Sequence, residues 1–259
     1  MAADLPSLAR HLLANGPVRT LKTSKRIRVL FNGTYIADTN RALYVWEHPN
    51  YPQYYIPLAS LPTSYHKIDR INNDAASILS LKIGDSKLDR ILAFSEELEK
   101  GKGLQELEGM ARIEFQAVDG WFEEDTPVFV HPKDPFKRVD ILHSTRPVKV
   151  LIDGTVVAEV GSSMHLYETG LPCRYYIPQT AVKQELLRPS ELRTRCPYKG
   201  EAEYYHVVIG DKTYRNLVWY YRTPTHESAA VAGLLCFYNE KVDIELDGEV
   251  LDRPRTQFA

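Results

Sequence analysis

A chain of 259 residues can supply two modules of about 100–130 residues, each with a core of its own. With 44% hydrophobic and 25% charged residues it has an ordinary globular composition, and a formal net charge of −2 gives no electrostatic basis for binding nucleic acid. Apolar runs are short and charge-interrupted, well under the roughly 20 residues that span a bilayer, so no membrane partner is expected. The start, MAADLPSLARHLLANG, has no long apolar stretch with a cleavage site, and the expected location is cytoplasmic. Cys173, Cys196 and Cys236 match neither a disulfide framework nor a CxxC pattern, so no metal is expected.

In chain order, residues 1–24 read as an N-terminal arm with a short helix over residues 5–13, stopped by Asn15-Gly16-Pro17. From Ile27 the chain alternates as a strand through Val29 and Phe31 to Asn32-Gly33, then resumes at Tyr35 and Ile36, the pattern of a β-hairpin. Residues 85–110 are richer in helix formers, with Gly101 and Gly103 as stops. The stretch 121–146, with two prolines in HPKDP, reads as an ordered connector. A second hairpin follows around Asp153-Gly154, then a third from residues 204–209 through Gly210-Asp211 into residues 217–221. After Pro224 the run THESAAVAGLLCF suggests a short helix, and residues 242–246 a closing strand into Asp247-Gly248.

The two early hairpins belong to a repeat. Residues 26–57 align without a gap on residues 147–178, with identity at 10 of 32 positions, where unrelated sequences would share about two. The match includes Glu47 with Glu168, and Tyr54-Tyr55-Ile56-Pro57 with Tyr175-Tyr176-Ile177-Pro178. It breaks after Pro57 and recovers where residues 81–85 meet residues 207–211. The expected organisation is an arm (1–24), a diverged first module (25–120), a connector (121–146), a motif-bearing second module (147–250) and a tail (251–259). The expected fold class is mainly β (α+β), two tandem homologous modules with one or two short helices each.

The densest unusual segment runs from Thr194 through Arg195-Cys196-Pro197-Tyr198-Lys199-Gly200 to Tyr204-Tyr205, followed by Trp219-Tyr220-Tyr221. With Asp153-Gly154, Glu168 and Tyr176-Ile177-Pro178, it resembles the domain of unknown function 427 family, whose members carry a C-P-[WY]-K-G motif ahead of paired aromatics. Residues 121–125 and 131–140 are similar to the linker of that family's two-module members, so the resemblance covers nearly all of the chain past residue 25. It implies a small β-barrel or a tent-like sheet structure for each module. A label attached to the family implies nucleotidyl transfer. The chain, however, has no GxxxxGK[ST] loop and no paired-aspartate motif beside a Gly-Ser turn. The first module also lacks the motif, since counting back from Ile83-Gly84-Asp85 sets Arg70-Ile71-Asn72-Asn73-Asp74 against Cys196 to Gly200.

Glu168, Lys199 and Tyr198 are the candidate catalytic residues, and Tyr176, Arg195, Cys196, Tyr205, Trp219 and Tyr221 the candidate substrate contacts. Each has a structural alternative. Tyrosine and tryptophan at alternating strand positions also serve as core. Cys196 is either a nucleophile, favoured by Arg195 and Lys199 and assisted by His165 or His206, or a buried cysteine before a proline. Lys199 is either an anion anchor or a solvated side chain. Glu168, in an apolar and aromatic run, either pairs with a cation or has a raised pKa suited to proton transfer. His131 and His143, with Lys133, Lys137 and Arg138 between them, either close over a pocket between modules or pack at the surface.

Sixteen tyrosines against eight phenylalanines suit a pocket that needs apolar walls and hydrogen-bond donors together. The expected function is binding of a small organic molecule, as a cofactor-independent enzyme of isomerase, cyclase, lyase or hydrolase type. The alternative is a non-catalytic binding module for a metabolite or protein partner. No cofactor and no nucleic acid are expected, and the expected state is a monomer or weak homodimer.

Overall fold

The computed structural model describes residues 4–99, 101 and 103–256; residues 1–3 of the expected arm and 257–259 of the expected tail lie outside them. The chain divides into two units between Asp134 and Pro135. Helix α1 (Leu5–Asn15) opens the first unit. The Asp4 carboxylate accepts from the Ser7 N–H at its start, a proline occupies the first turn, and Gly16 at φ +74° ends it. The strands that follow are β1 (Arg19–Lys22), β2 (Ile27–Phe31), β3 (Thr34–Thr39), β4 (Leu43–Trp46), β5 (Gln53–Pro57) and β6 (His66–Ile71). Then come β7 (Ala76–Ile83), β8 (Ser86–Phe94), β9 (Met110–Ile113), β10 (Gly120–Glu123) and β11 (Thr126–Val128).

The second unit holds β12 (Val139–Ser144), β13 (Val148–Ile152), β14 (Thr155–Val160), β15 (Ser163–Glu168), β16 (Arg174–Ile177) and β17 (Leu187–Cys196). It continues with β18 (Gly200–Ile209), β19 (Lys212–Tyr221), β20 (Leu235–Phe237), β21 (Asp243–Leu246) and β22 (Glu249–Val250). Its helical content is three 3-10 turns, Gln179–Ala181, Gln184–Leu186 and His226–Val231. No helix among the described residues is long and apolar enough to cross a membrane.

Each unit pairs a seven-stranded antiparallel sheet with a four-stranded one. The large sheets run β1-β4-β5-β9-β8-β7-β6 and β12-β15-β16-β20-β19-β18-β17; the small ones run β11-β10-β2-β3 and β14-β13-β21-β22. The orders correspond strand for strand, and so do the registers. Tyr55 opposes Arg112 where Tyr176 opposes Cys236, and Ala76 opposes Phe94 where Ala202 opposes Tyr221. The duplication thus spans the whole module, beyond the 32 aligned positions. Neither pair of sheets closes into a barrel, so of the two expected architectures the modules are tent-like.

Strand alternation gives each large sheet two faces. The inner face packs against the small sheet: Tyr54, Ile56, Leu79 and Ile91 meet Ile27, Val29 and Trp121 in the first unit, and Tyr175, Ile177 and Val218 meet Val148 and Val150 in the second. The outer faces differ. In the first unit Val45, Tyr55, Ile78, Leu92 and Phe94 are covered by Leu5, Ala9 and Leu12 of α1. In the second, Leu166, Tyr176, Tyr204, Trp219, Tyr221 and Cys236 make a cluster with Val231.

Residues 85–110 correct one expectation. Instead of a helix, Ser86–Phe94 is strand β8, flanked by β7 and β9, with a 3-10 turn only at Leu104–Leu107. Ile91 to Phe94 are buried on both faces, so tertiary pairing overrides the helix propensity of the flanking charges. Residues 121–146 are shared out: Trp121 is core of the first unit and β12 is a strand of the second. At one edge of each large sheet, β6 and β17 shift register midway, between Lys67 and Asp69 and between Pro189 and Arg193.

Candidate functional site

The motif Cys196-Pro197-Tyr198-Lys199-Gly200 is the turn that joins β17 to β18, with Cys196 opposite Gly200. It is anchored from behind: the Tyr198 carbonyl accepts from the Thr225 and Ser228 hydroxyls, and the Lys199 carbonyl accepts from the Thr225 N–H at 3.1 Å. Gly200 sits at φ +99°, and a Cβ there would lie 3.4 Å from both the Thr223 carbonyl oxygen and the Thr225 nitrogen. Only glycine fits without strain. Gly200→Ala is therefore expected to cost about 1–3 kcal/mol in urea denaturation; a variant as stable as the wild type would show that the turn does not hold this backbone.

The turn delivers Lys199 to Glu168. On β15 the side chains of Met164, Leu166 and Glu168 share the outer face, and the Lys199 ammonium donates to Glu168 Oε2. Glu168 is buried and Lys199 nearly so, at 7% and 12% exposure, so the carboxylate takes the paired alternative. Around them stand the aromatic residues of the outer face. The Trp219 indole N–H donates to the Tyr176 hydroxyl at 3.1 Å, and the Tyr204 hydroxyl bonds Thr194 Oγ1 at 2.7 Å. Burial pushes the Tyr176 and Tyr221 phenols well above their ordinary pKa. Cys196, half-buried, lies within electrostatic reach of both.

Not every expected residue joins this face. Tyr205 points to the inner side, stacked on Tyr220 at 5.2 Å, and Arg195 is exposed and bound to Glu201 at 3.0 Å. Tyr198, in the turn itself, is buried and is not among the clustered residues of that face. His165 lies on the inner face, edge-on to Tyr175 at 4.9 Å, and burial with the nearby Arg146 guanidinium lowers its pKa. His206 accepts from the Asn216 N–H at 2.9 Å, six residues along β18 from Gly200, or about 20 Å. Neither histidine is brought to Cys196.

Sequence reading missed two parts of the site. Cys236 is fully buried on the same face, its thiol pushed up by burial, with Arg174 and Lys199 in electrostatic reach. Arg174, 5.5 Å over the Trp219 ring, forms a two-pronged ion pair with Glu240 at 2.6 and 2.7 Å. Extending the repeat by register through β9 and β20 finds the first. The second has no signal, because Glu240 follows β20 in a loop and Arg174 is matched by Gln53 in the repeat.

The first module is an internal control. Glu47 holds the place of Glu168, but its cation is Arg112, from the position of Cys236, at 2.6 Å, and the Tyr55 hydroxyl donates to it at 3.0 Å. The places of Tyr204, Trp219 and Tyr221 are taken by Ile78, Leu92 and Phe94, and three successive residues at positive φ, Asn72, Asn73 and Asp74, make the turn in place of the motif. The carboxylate is kept in both modules, and the cation comes from strand β9 in the first and from the β17–β18 turn in the second. Among the described residues no group of three or more His, Cys, Asp or Glu side chains is placed to hold a metal ion.

A comparison with the curated proteins gives no match. A family model described as a domain of unknown function, DUF427, matches twice, at residues 19–123 and 140–248, one copy for each pair of sheets. The chain therefore belongs to the DUF427 family, as a member with two modules.

Proposed function

We propose that the outer face of the second module binds a small organic molecule and that Glu168, set against Lys199, moves a proton on it. One observation carries this reading. The same carboxylate is held in the first module by Arg112 and in the second by Lys199, and of the two residue types it is lysine that serves proton-transfer chemistry. The first pair is sealed under an apolar, helix-covered face, whereas the second sits among phenols and an indole that supply walls and donors to a ligand. Glu168 is the acid or base, Lys199 its counter-charge, and Tyr176, Trp219 and Tyr221 the wall.

A second reading, binding without chemistry, draws support from the satisfied state of the face: Tyr176 already accepts from Trp219 and Tyr204 already bonds Thr194. A thermal-shift screen of the full chain against a metabolite library separates the two, because a ligand that binds the folded state raises its melting temperature. The expected hit stabilises wild type and not Lys199→Met. Turnover of that hit by wild type and none by Glu168→Gln supports proton transfer, and binding with equal or absent turnover in both supports the second reading. Hits that stabilise Lys199→Met and Glu168→Gln as well as wild type would remove this face from consideration.

A further inference from the structure

A different site lies in the first module, at the end of the large sheet where β1, β4, β5 and β9 terminate. There an open cleft of about 580 Å³ is floored by Ala42, Leu43, Pro57 and Met110, a size within the usual range for small-ligand sites. Four charged residues line it: Lys22 and Arg41 at the β1–β4 side of the sheet, Glu106 and Glu108 just ahead of β9 on the other. No ion pair joins them. Among the described residues Lys22, Arg41 and Glu106 have no side-chain partner, and Glu108 accepts only from the Leu98 N–H, at 3.2 Å.

The second module shows that the fold does not need these charges. By register and chain position Lys22 falls on His143, Arg41 on Ser162, Glu106 on Ala230 and Glu108 on Ala232. Their neighbours stay alike: Leu107 on Val231, both fully buried; Met110 on Leu234; Leu43 on Met164; Pro57 on Pro178; Gly109 on Gly233, both at positive φ. The scaffold of the cleft is kept in both modules, and all four charges belong to the first. Two cations facing two anions across an apolar floor match a molecule that carries both charges and an apolar body between them.

We infer that this cleft binds a small zwitterion, a short apolar peptide, with its carboxylate at Lys22 and Arg41 and its ammonium at Glu106 and Glu108. The inference is independent of the proposed function of the second module. Calorimetric titration of the full chain with leucyl-leucine, its N-acetyl form and its C-terminal amide tests it. The expected result is saturable binding of the free dipeptide, weakened at least about tenfold by either blocking group. Arg41→Ser and Glu106→Ala, which install the second module's residues, should weaken it likewise, with unfolding curves unchanged because both side chains are exposed. No binding of the free dipeptide at millimolar concentration, equal binding of the blocked forms, or undiminished binding by both variants would overturn it.

Discussion

Lys199→Met will destabilise the second module by about 3–5 kcal/mol, the usual cost of removing one partner from a buried ion pair. Among the described residues Lys199 is the sole side chain that bonds Glu168, and the pair is nearly sealed from solvent. Methionine keeps the apolar stem and deletes the charge, so the loss reports on the stranded carboxylate and not on a cavity. Adding Glu168→Gln to that variant will recover most of the loss, since a neutral amide is far cheaper to bury than an unpaired carboxylate. Arg112→Met carries the same expectation for the first module, where among the described residues Glu47 then keeps only the Tyr55 hydroxyl. Hydrogen exchange of amides in β15, β16 and β20 during urea titration reads the second module separately. A cost under about 1 kcal/mol for Lys199→Met would mean that Glu168 has support other than Lys199.

Acid will weaken the second module through Glu240. Burial alone would raise its pKa, but hydrogen bonds from Arg174, Thr256 and its own backbone outweigh that and bring it down to about 2 from the ordinary 4.5. A carboxylate depressed in the folded state contributes stability that is complete above its unfolded pKa and is lost as pH falls towards the folded one. The window is therefore between about pH 5 and 2, and the full contribution is about 3 kcal/mol. Roughly 2 kcal/mol of it will be gone by pH 3. Denaturant unfolding at the two ends of that window, on wild type and Glu240→Gln, checks this: the variant starts less stable and loses less on acidification. Parallel acid slopes in the two proteins would show that the Arg174 pair is not what protects the carboxylate.

Short-range features were legible and long-range ones were not. The Asn32-Gly33 and Asp153-Gly154 turns could be read because all four residues need positive φ, which they have at +47°, +68°, +47° and +76°, and few residue types accept it. The repeat exposed the shared module and singled out Glu168. What escaped depends on strands distant in sequence. Nothing local says that β5 lies beside β9, which places Arg112 65 residues from its partner Glu47. Alternation says that Tyr204 and Tyr205 face opposite ways, but not which of them meets Trp219. That depends on which face the small sheet covers, so Tyr205, a candidate contact by sequence, stands on the inner side away from Trp219. Strand β8 failed differently, because a central strand buried on both faces shows no alternation to distinguish it from a helix.

The mid-strand register shifts in β6 and β17 bear on how a protein made of open sheets stays apart from its own copies. An outermost strand presents unpaired N–H and C=O groups that another chain can extend into a fibril. Here the ladder is broken at the same place in both modules, with Ile68 and Leu192 turned outward at 47% and 38% exposure. Around the breaks stand Lys67, Asp69 and Arg70 in one strand, and Arg188, Glu191 and Arg193 in the other. Pro189 has no N–H to offer. An incoming strand would find neither a continuous row of bonding groups nor a charge-free path, so the irregularity inherited by both halves acts as a barrier to self-templated aggregation.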